Sequence, residues 1–250
     1  MTYQPDRCVH CLRCVTACPQ GCHTAIDGRH AFDRTACIAC GSCLSPLCEV
    51  LEVAGDIRTI DSLLEEIQKD ALFYENSGGG LTLSGGEPLL QADACEELLR
   101  RAKELGIHTC IETCGYASAE ALEKTLPWSD LYLFDWKESD PVRHKEYTGV
   151  DNSKILANIQ KLAQTDKEIW VRVPVIPDFN DTETEMAAIA DLVSRLPTIT
   201  RVTLMPYHTL GASKYPTLGL IYPFNTEKRI SEASLSRFCE IFTNRGIPIC

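Results

Sequence analysis

Nine of the 14 cysteines of this 250-residue chain lie within its first 50 residues, and eight of them form two closely spaced runs. The first run is Cys8-x2-Cys11-x2-Cys14-x3-Cys18-Pro19, and the second is Cys37-x2-Cys40-x2-Cys43-x4-Cys48. Cysteine thiolates are soft, strongly donating ligands for iron, and four of them at such spacings wrap one [4Fe-4S] cube. The two runs therefore predict two iron-sulfur clusters and a protein through which electrons move.

The fourth cysteine of each run is expected to serve the other cluster, as in two-cluster ferredoxins. The predicted ligands of the first cube are then Cys8, Cys11, Cys14 and Cys48, and those of the second are Cys37, Cys40, Cys43 and Cys18. The second run departs from the ferredoxin pattern, because its last gap is x4 and Glu49 stands where proline is usual. Cys22 is a further thiol close enough in sequence to substitute, so the fourth ligands stay open between Cys18, Cys22 and Cys48.

Zinc and disulfide bonds are the other common uses of closely spaced cysteines. Zinc also binds CxxC pairs tetrahedrally, but zinc sites rarely need eight or nine cysteines in such short triplets. Disulfides would require an exported chain, and we find neither a signal peptide nor a long apolar run in the sequence. Iron-sulfur ligation in a reducing, anaerobic cytoplasm is the favoured interpretation.

Composition bounds the rest of the chain. A length of 250 residues suits one α/β domain plus a small module, and 44% hydrophobic with 24% charged residues is ordinary for a folded soluble protein. The net charge is -11, and residues 1-50 hold four arginines against four acidic residues, so the whole excess lies in 51-250. Such a charge disfavours a nucleic-acid partner, and no membrane partner is expected. We predict a ferredoxin-like module over 1-58 and a second domain over 59-250.

From Ile60 onward the sequence alternates between helical and strand patterns. Ser62-x-x-Glu65 is a capping box that predicts a helix over 61-75. Apolar runs predict strands at 81-83, 107-111, 131-134, 169-175 and 201-205, and amphipathic stretches predict helices near 91-105, 118-125, 152-164, 182-195 and 227-245. Strands separated by helices predict parallel βα units in a barrel or an open sheet.

Polar residues and glycines recur where these predicted strands end. They are Gly85, Gly86, Glu87, Glu112, Thr113, Asp135, Lys137 and His208, with Arg172 inside its strand. Taken singly, each has an ordinary explanation, such as a tight turn, a surface ion pair, an interior salt bridge or a turn histidine. Because the carboxyl ends of parallel strands share one face, their recurrence predicts a single pocket there.

The chain resembles the activating enzymes of glycyl radical enzymes, a family of the radical S-adenosylmethionine superfamily that includes the pyruvate formate-lyase activating enzymes. The matching segments are FYENSGGGLTLSGGEP at 73-88, GIHT at 106-109, IETCGY at 111-116, RVPVIP at 172-177 and PYHTLG at 206-211. The resemblance implies a partial (β/α) barrel that follows the two-cluster module. It also implies an oxidoreductase that reductively cleaves S-adenosylmethionine and abstracts hydrogen from a backbone glycine of a partner enzyme.

The resemblance implies roles for the strand-end residues as well. Gly85, Gly86 and Glu87 would present backbone and carboxylate to the ammonium of S-adenosylmethionine. Lys137, Arg172 and His208 would hold its carboxylate and neighbouring atoms, while Glu112, Thr113 and Asp135 resemble a site for a monovalent cation. Trp136 stands where Leu or Ile is usual in the family. The auxiliary clusters would carry electrons from a flavodoxin or ferredoxin-type donor.

The family cleaves S-adenosylmethionine at a third cluster held by Cys-x3-Cys-x2-Cys, and the sequence contains no such triad. Cys14 and Cys18 would need a cysteine where Gly21 stands, and Cys110 and Cys114 would need one at Ala117. We therefore expect a shortened family member that lacks the first barrel strand and has no catalytic cluster ligand within the chain; a third cube would require that missing segment.

Two other functions stay open. The first is a two-cluster electron-transfer or binding protein with a relic S-adenosylmethionine pocket. The second is a related radical enzyme that acts on a small substrate. The remaining cysteines Cys95, Cys110, Cys114 and Cys239 are predicted to serve as small apolar residues.

Overall fold

A computed structural model describes residues 1-45, 47-224 and 227-249. Its contacts divide the chain into two compact units. The cysteine-rich unit comprises Met1–Ile57 and His208–Thr226, and the sheet unit comprises Arg58–Tyr207 and Glu227–Cys250. We predicted a single domain boundary after residue 58. The structure differs from that prediction in grouping the segment from His208 onward with the cysteine-rich unit.

The strands are β1 (Thr2–Tyr3), β2 (His23–Ile26), β3 (Arg29–Phe32), β4 (Leu51–Glu52), β5 (Gly80–Leu83), β6 (His108–Thr113), β7 (Leu131–Asp135), β8 (Glu168–Val175) and β9 (Ile199–Pro206). The α-helices are α1 (Arg13–Ala17), α2 (Ile60–Gln68), α3 (Ala71–Ser77), α4 (Ala92–Glu104), α5 (Ala119–Thr125), α6 (Pro141–Thr148), α7 (Ser153–Leu162), α8 (Glu183–Val193), α9 (Lys214–Thr217) and α10 (Glu232–Thr243). Short 3-10 turns cover Pro5–Arg7, Pro88–Gln91 and Leu126–Trp128. Across the described residues, no helix is both long and apolar enough to span a membrane.

Two short antiparallel pairs, β1 with β4 and β2 with β3, form the strands of the cysteine-rich unit. The β2–β3 hairpin turns through Asp27 and Gly28, which have φ values of 51° and 73°. Two successive positive φ angles give the turn whose twist matches a two-residue hairpin, and Asp-Gly is a favoured pair for it.

Arg34 holds the segment His208–Thr226 within this unit. Its Nη2 donates to the Thr217 carbonyl at 2.7 Å and its Nη1 to the Met1 carbonyl at 3.0 Å. The guanidinium also lies 4.9 Å from the centre of the Phe32 ring, which adds a cation–π attraction. These contacts give the physical reason why the segment groups with the cysteines.

The sheet unit contains the predicted parallel sheet, with its five strands in the sequential order β5-β6-β7-β8-β9. Each predicted strand is observed within two residues of its expected bounds. Side-chain burial alternates along β8. Ile169, Val171 and Val173 are fully buried, whereas Trp170 and Arg172 on the other face are partly exposed. One face therefore packs into the core and the other carries polar groups. Closure of this sheet into a partial barrel stays a prediction.

The predicted helix over 61-75 is wrong in detail, because the structure has two helices, α2 and α3, with a break at Lys69 and Asp70. The amides of Lys69 and Asp70 donate to carbonyls three positions back, as in a 3-10 turn. This pattern ends the α-helical hydrogen bonding. The N-cap of α2 is Thr59, whose Oγ1 accepts from the Ser62 amide at 3.2 Å, so the cap lies three residues before the predicted one.

Candidate functional site

A cavity of about 260 Å³ in the cysteine-rich unit is lined by five cysteines. They are Cys8, Cys11, Cys14, Cys43 and Cys48, and four of these are the predicted ligands of the first cube. All thirteen described cysteines are free thiols. Several thiols around one cavity, with Cys48 joining three cysteines of the other run, fit the donor set of an iron-sulfur cluster.

The pKa of Cys43 in the second run depends on burial and on other thiols. Burial raises the pKa of the Cys43 thiol, and the charges of Cys18, Cys37 and Cys40 raise it further, although a backbone hydrogen bond opposes them. That Cys18, Cys37, Cys40 and Cys43 together hold the second cube stays a prediction.

Cys18 and Cys22 have opposite surroundings although they are only four residues apart. The Cys22 amide approaches Cys18 Sγ at 3.4 Å, and although burial opposes it, donation from the Cys22, Gln20 and His23 amides lowers the pKa of Cys18. Burial and then the neighbouring Cys18 raise the pKa of Cys22 to about 11. Since the thiolate is the form that binds metal, the amide donation to Cys18 Sγ is consistent with Cys18 as the fourth ligand, and that assignment stays a proposal.

In the sheet unit, the Glu87 carboxylate lies at the carboxyl end of β6. It accepts hydrogen bonds from Thr113 Oγ1 at 2.7 Å, from the Cys114 amide at 2.9 Å and from the Leu89 amide at 3.2 Å. The side chain therefore caps its own 3-10 turn and joins the end of β5 to the end of β6. Within the described contacts it serves this turn, and a role toward a ligand ammonium stays a proposal.

The Cys114 thiol belongs to the same cluster of polar groups. Its Sγ lies 3.1 Å from Glu87 Oε2 and donates to it. Burial, followed by the bond to Glu87, raises the pKa of Cys114 and keeps it protonated. The prediction that Cys114 serves as a small apolar residue is therefore wrong, because its thiol donates to a carboxylate. The sequence did not indicate this contact, since Glu87 lies 27 positions away.

Arg172 on β8 joins two acidic residues from neighbouring strands. Its Nε and Nη2 donate to Asp135 Oδ1 at 2.9 and 2.8 Å, and Nη2 also donates to Glu112 Oε1 at 2.5 Å. Burial lowers the pKa of Arg172, but the two carboxylates outweigh it and the net shift is upward. Residues of β6, β7 and β8 thus share one ionic network.

Lys137 extends this network, with its Nζ 3.9 Å from Asp135 Oδ2. Between them Trp136 is buried at 3% exposure, within the hydrophobic core, and its Nε1 donates to Ser139 Oγ at 3.3 Å. The bulk of this tryptophan is therefore absorbed by the core, away from the ionic groups.

The glycines after β5 leave their backbone open. A Cβ built at Gly85 or Gly86 would meet no atom within 4 Å, and φ of Gly85 is 131°. The glycine after β6 differs, because a Cβ at Gly115 would lie 2.4 Å from the ring of Phe134. Ligand approach thus suits the first pair, and packing explains the second. His208 is exposed and begins the segment that belongs to the cysteine-rich unit.

Sequence reasoning missed a buried carboxyl pair formed by Glu138, which follows β7, and Glu185 in α8. Glu138 is 2% and Glu185 9% exposed, and both accept from the Ser139 amide, at 3.0 and 2.7 Å. Burial, and then the hydrogen bond and charge of Glu138, raise the pKa of Glu185 to about 8. The pair supports the loop that carries Lys137, and nothing in the sequence around Glu185 distinguishes it from other acidic residues at a helix start.

Comparison with known proteins agrees with this fold. The sequence profile of the Radical SAM superfamily matches residues 7–190. A solved domain of a pyruvate-formate lyase-activating enzyme from Bacteroides vulgatus is 28% identical with a TM-score of 0.58, covering 69% of this chain and 98% of that domain. The class defined by the sheet and its strand-end residues is therefore that of radical S-adenosylmethionine enzymes.

Curated relatives narrow the class. The choline trimethylamine-lyase activating enzyme of Oleidesulfovibrio alaskensis is 41% identical over 99% of this chain and 82% of its own length. The isethionate sulfite-lyase activating enzyme of Nitratidesulfovibrio vulgaris is 41% identical over 86% of this chain and 72% of its own length. The chain belongs to the activating enzymes of glycyl radical enzymes, which are oxidoreductases.

Proposed function

We propose that this protein activates a glycyl radical enzyme, with two auxiliary [4Fe-4S] clusters in its cysteine-rich unit relaying electrons. S-adenosylmethionine supplies the chemistry when bound, since its reductive cleavage gives methionine and a 5′-deoxyadenosyl radical that abstracts hydrogen from a backbone glycine of the partner. The observation that carries the proposal is the ionic network on adjacent strands that joins Glu112, Asp135, Arg172 and Lys137.

The network suits a zwitterionic ligand. Arg172 and Lys137 offer the cationic groups that a carboxylate needs. The open backbone at Gly85 and Gly86 lets a ligand approach closely, and Glu87 holds that turn against β6. Glu112, Thr113 and Asp135 are proposed to hold a monovalent cation, with oxygen donors that are partly shared with Arg172 and Glu87. His208 is proposed to complete the ligand contacts.

The cysteine-rich unit is proposed to take electrons from a flavodoxin or ferredoxin-type donor. The thiol groups around Cys8 and Cys43 supply the ligands, with Cys48 and Cys18 each crossing to the other run. Free thiols are kept reduced in the cytoplasm, which is the compartment that we propose. The partner is proposed to be a glycyl radical enzyme, as the names of the relatives imply for those proteins.

Metal analysis tests the cluster assignment. The anaerobically reconstituted chain is expected to hold about eight irons with matching sulfide, and about twelve would reveal a third cube. A chain that holds zinc and no iron would contradict the assignment.

Binding of S-adenosylmethionine tests the strand-end site. We expect the reconstituted chain to bind radiolabelled S-adenosylmethionine in equilibrium dialysis, and Lys137→Met to weaken binding by about tenfold, because a charge-assisted contact is lost. Lys124→Met is the matched control, since Lys124 pairs with Asp93 on the surface of the same unit. Equal affinities of wild type and Lys137→Met would contradict the assigned role.

The electron-transfer protein with a relic pocket is the second candidate, since the cysteine-lined cavity would suffice for it. With dithionite, S-adenosylmethionine and choline trimethylamine-lyase or isethionate sulfite-lyase as the probe partner, an activating enzyme yields 5′-deoxyadenosine and the glycyl radical signal in electron paramagnetic resonance (EPR). Clusters that reduce normally without either product would favour the relic.

A further inference from the structure

Two buried histidines lie beside the cysteine-lined cavity. His30 lines the cavity, and its Nδ1 lies 3.8 Å from Cys8 Sγ. His23 is 2% exposed, and its Nδ1 lies 2.8 Å from His30 Nε2. A sulfur atom and two imidazoles therefore form a chain that leads from the cavity into the interior of the unit.

The direction of hydrogen bonding along this chain follows from its two ends. A thiolate that ligates iron carries no proton, so the contact with Cys8 is a hydrogen bond only if His30 Nδ1 donates. A neutral His30 then has a lone pair on Nε2, and His23 Nδ1 must donate to it. His23 Nε2, which is buried without a hydrogen-bond partner among the described residues, is left as an acceptor.

The opposite direction is less favourable. It would place an unpartnered N–H at His23 Nε2, and buried donors without partners are rarer than buried acceptors without partners. The geometry therefore favours donation that runs from His23 through His30 toward Cys8.

The surrounding groups hold the two rings in place. The Tyr3 ring meets His30 edge-on at 4.8 Å between centroids, and Phe32 stacks on His23 at 4.6 Å. The backbone N–H of His30 donates to His10 Nδ1 at 3.1 Å. The backbone of His30 is thus held by a contact that does not depend on Cys8.

We propose that His30 donates a hydrogen bond to the Cys8 sulfur and thereby raises the reduction potential of the first cube, with His23 fixing the His30 tautomer. The inference rests on the proposed assignment of that cube to Cys8, Cys11, Cys14 and Cys48. A hydrogen bond to a ligating sulfur stabilises the reduced, more negative cluster, and such bonds are among the factors that set cluster potentials.

The test is an EPR-monitored redox titration of the anaerobic full chain. His30→Phe keeps a ring against Tyr3 but removes both nitrogens. We expect the midpoint potential of one of the two clusters to become more negative. At a fixed potential, its reduced-to-oxidised ratio should fall by up to about tenfold, which corresponds to a shift of about 59 mV for one electron. The other midpoint is expected to stay unchanged.

Three further variants distinguish a hydrogen bond from a packing effect. His30→Gln restores an N–H group and is expected to recover most of the midpoint. His23→Phe removes the partner of His30 Nε2 and is expected to give a smaller shift in the same direction. His108→Phe replaces an exposed imidazole at the start of β6 and is the control that leaves both midpoints unchanged.

Unchanged midpoints in His30→Phe with both clusters present would overturn the inference. If that variant does not fold, the wild type labelled with 15N-histidine decides, because a histidine nitrogen coupled to the reduced cube supports the bond and its absence overturns it. The Cys14, His23 and His30 ligand atoms lie within 4.8 Å of one another, so zinc bound there beside only one cube would also overturn it. Wild type without any [4Fe-4S] signal would instead show that the proposed cluster function has failed.

Discussion

Arg172 and Glu185 show two opposite outcomes for an ionisable group removed from water. The guanidinium is paired with two carboxylates, so it keeps its charge and gains from doing so. The Glu185 carboxyl faces another carboxyl, so burial and repulsion favour its protonated form. The charged network belongs to the proposed ligand site, whereas the carboxyl pair supports the loop beside it.

Glu185 makes the stability of the sheet unit depend on pH. Its folded pKa of about 8 lies above the unfolded value, so its stabilising contribution is full below about pH 4.3 and is lost as the pH rises to about 8. We expect the unfolding free energy to fall by up to about 1.4 kcal/mol per pH unit in this window. Urea unfolding followed by tryptophan fluorescence measures it, since Trp128, Trp136 and Trp170 all lie in this unit.

Glu185→Gln is expected to remove this slope, because the amide does not titrate. Glu183→Gln is the control, since Glu183 is two residues away in the same helix with a side chain 67% exposed. The same pH slope in wild type and Glu185→Gln would contradict the assignment.

Cys18 and Cys22 allow a second test with single residues. Because amide donors surround the Cys18 sulfur, we expect Cys18→Ala to lose one cube, lowering the iron content from about eight to about four. Cys22→Ala is expected to keep about eight irons. Iron and sulfide analysis of the anaerobic variants measures this, and the reverse result would make Cys22 the ligand.

At the scale of elements, the turn after β6 depends on one glycine. Gly115 has a φ of 72°, and a Cβ there would lie 2.4 Å from the Phe134 ring, which is fully buried. Asn158 fixes the same turn by donating to the Gly115 carbonyl at 2.8 Å. The turn that follows Glu112 and Thr113 is therefore determined by packing beneath the proposed site.

Gly115→Ala is expected to destabilise the sheet unit by about 2–5 kcal/mol, since an unfavourable φ and a steric overlap add together. Gly106→Ala is the matched control, because Gly106 has a φ of 75° but nothing within 4 Å of its Cβ. That variant is expected to lose only about 1–2 kcal/mol. Equal losses in urea unfolding would show that overlap with Phe134 does not matter.

The main elements of the sheet unit could be predicted from sequence, whereas several shorter ones could not. Apolar runs such as 169-175 define strands because burial imposes them directly. The helix α6 was missed because Pro141–Thr148 has little amphipathic pattern, and it begins instead through capping by Asp140. The β2–β3 hairpin was not predicted although Asp27-Gly28 is a hairpin signal, because the cysteine spacing around it predicts cluster ligands and no strands.

On the scale of the whole molecule, sequence distance limited the prediction. Four cysteines that the spacing assigned to one cube line one cavity, because the ligand pattern is itself a local signal. The hydrogen bond of Arg34 with Thr217 joins positions 183 residues apart, and no local sequence pattern predicts it. The unit boundaries therefore depend on tertiary contacts that a single sequence does not reveal.

Arg34 is expected to control access to the segment that begins at His208. Arg34→Met keeps much of the side-chain volume but removes two hydrogen bonds, so the segment should open more often and trypsin should cleave after the exposed Lys214 about tenfold faster. Arg29→Met is the control, since Arg29 is exposed on β3. Equal cleavage rates in the three proteins would show that other contacts hold the segment.

The proposed crossing of Cys18 and Cys48 between the two runs would constrain the chain mechanically. Each proposed cube ties the segment 8-18 to the segment 37-48, so the loop between them is closed twice by independent cross-links. Such redundancy makes the unit tolerant of damage, because one surviving cube still limits the freedom of the unfolded loop. Oxygen that destroys a single cube should therefore interrupt electron flow well before the unit loses its fold.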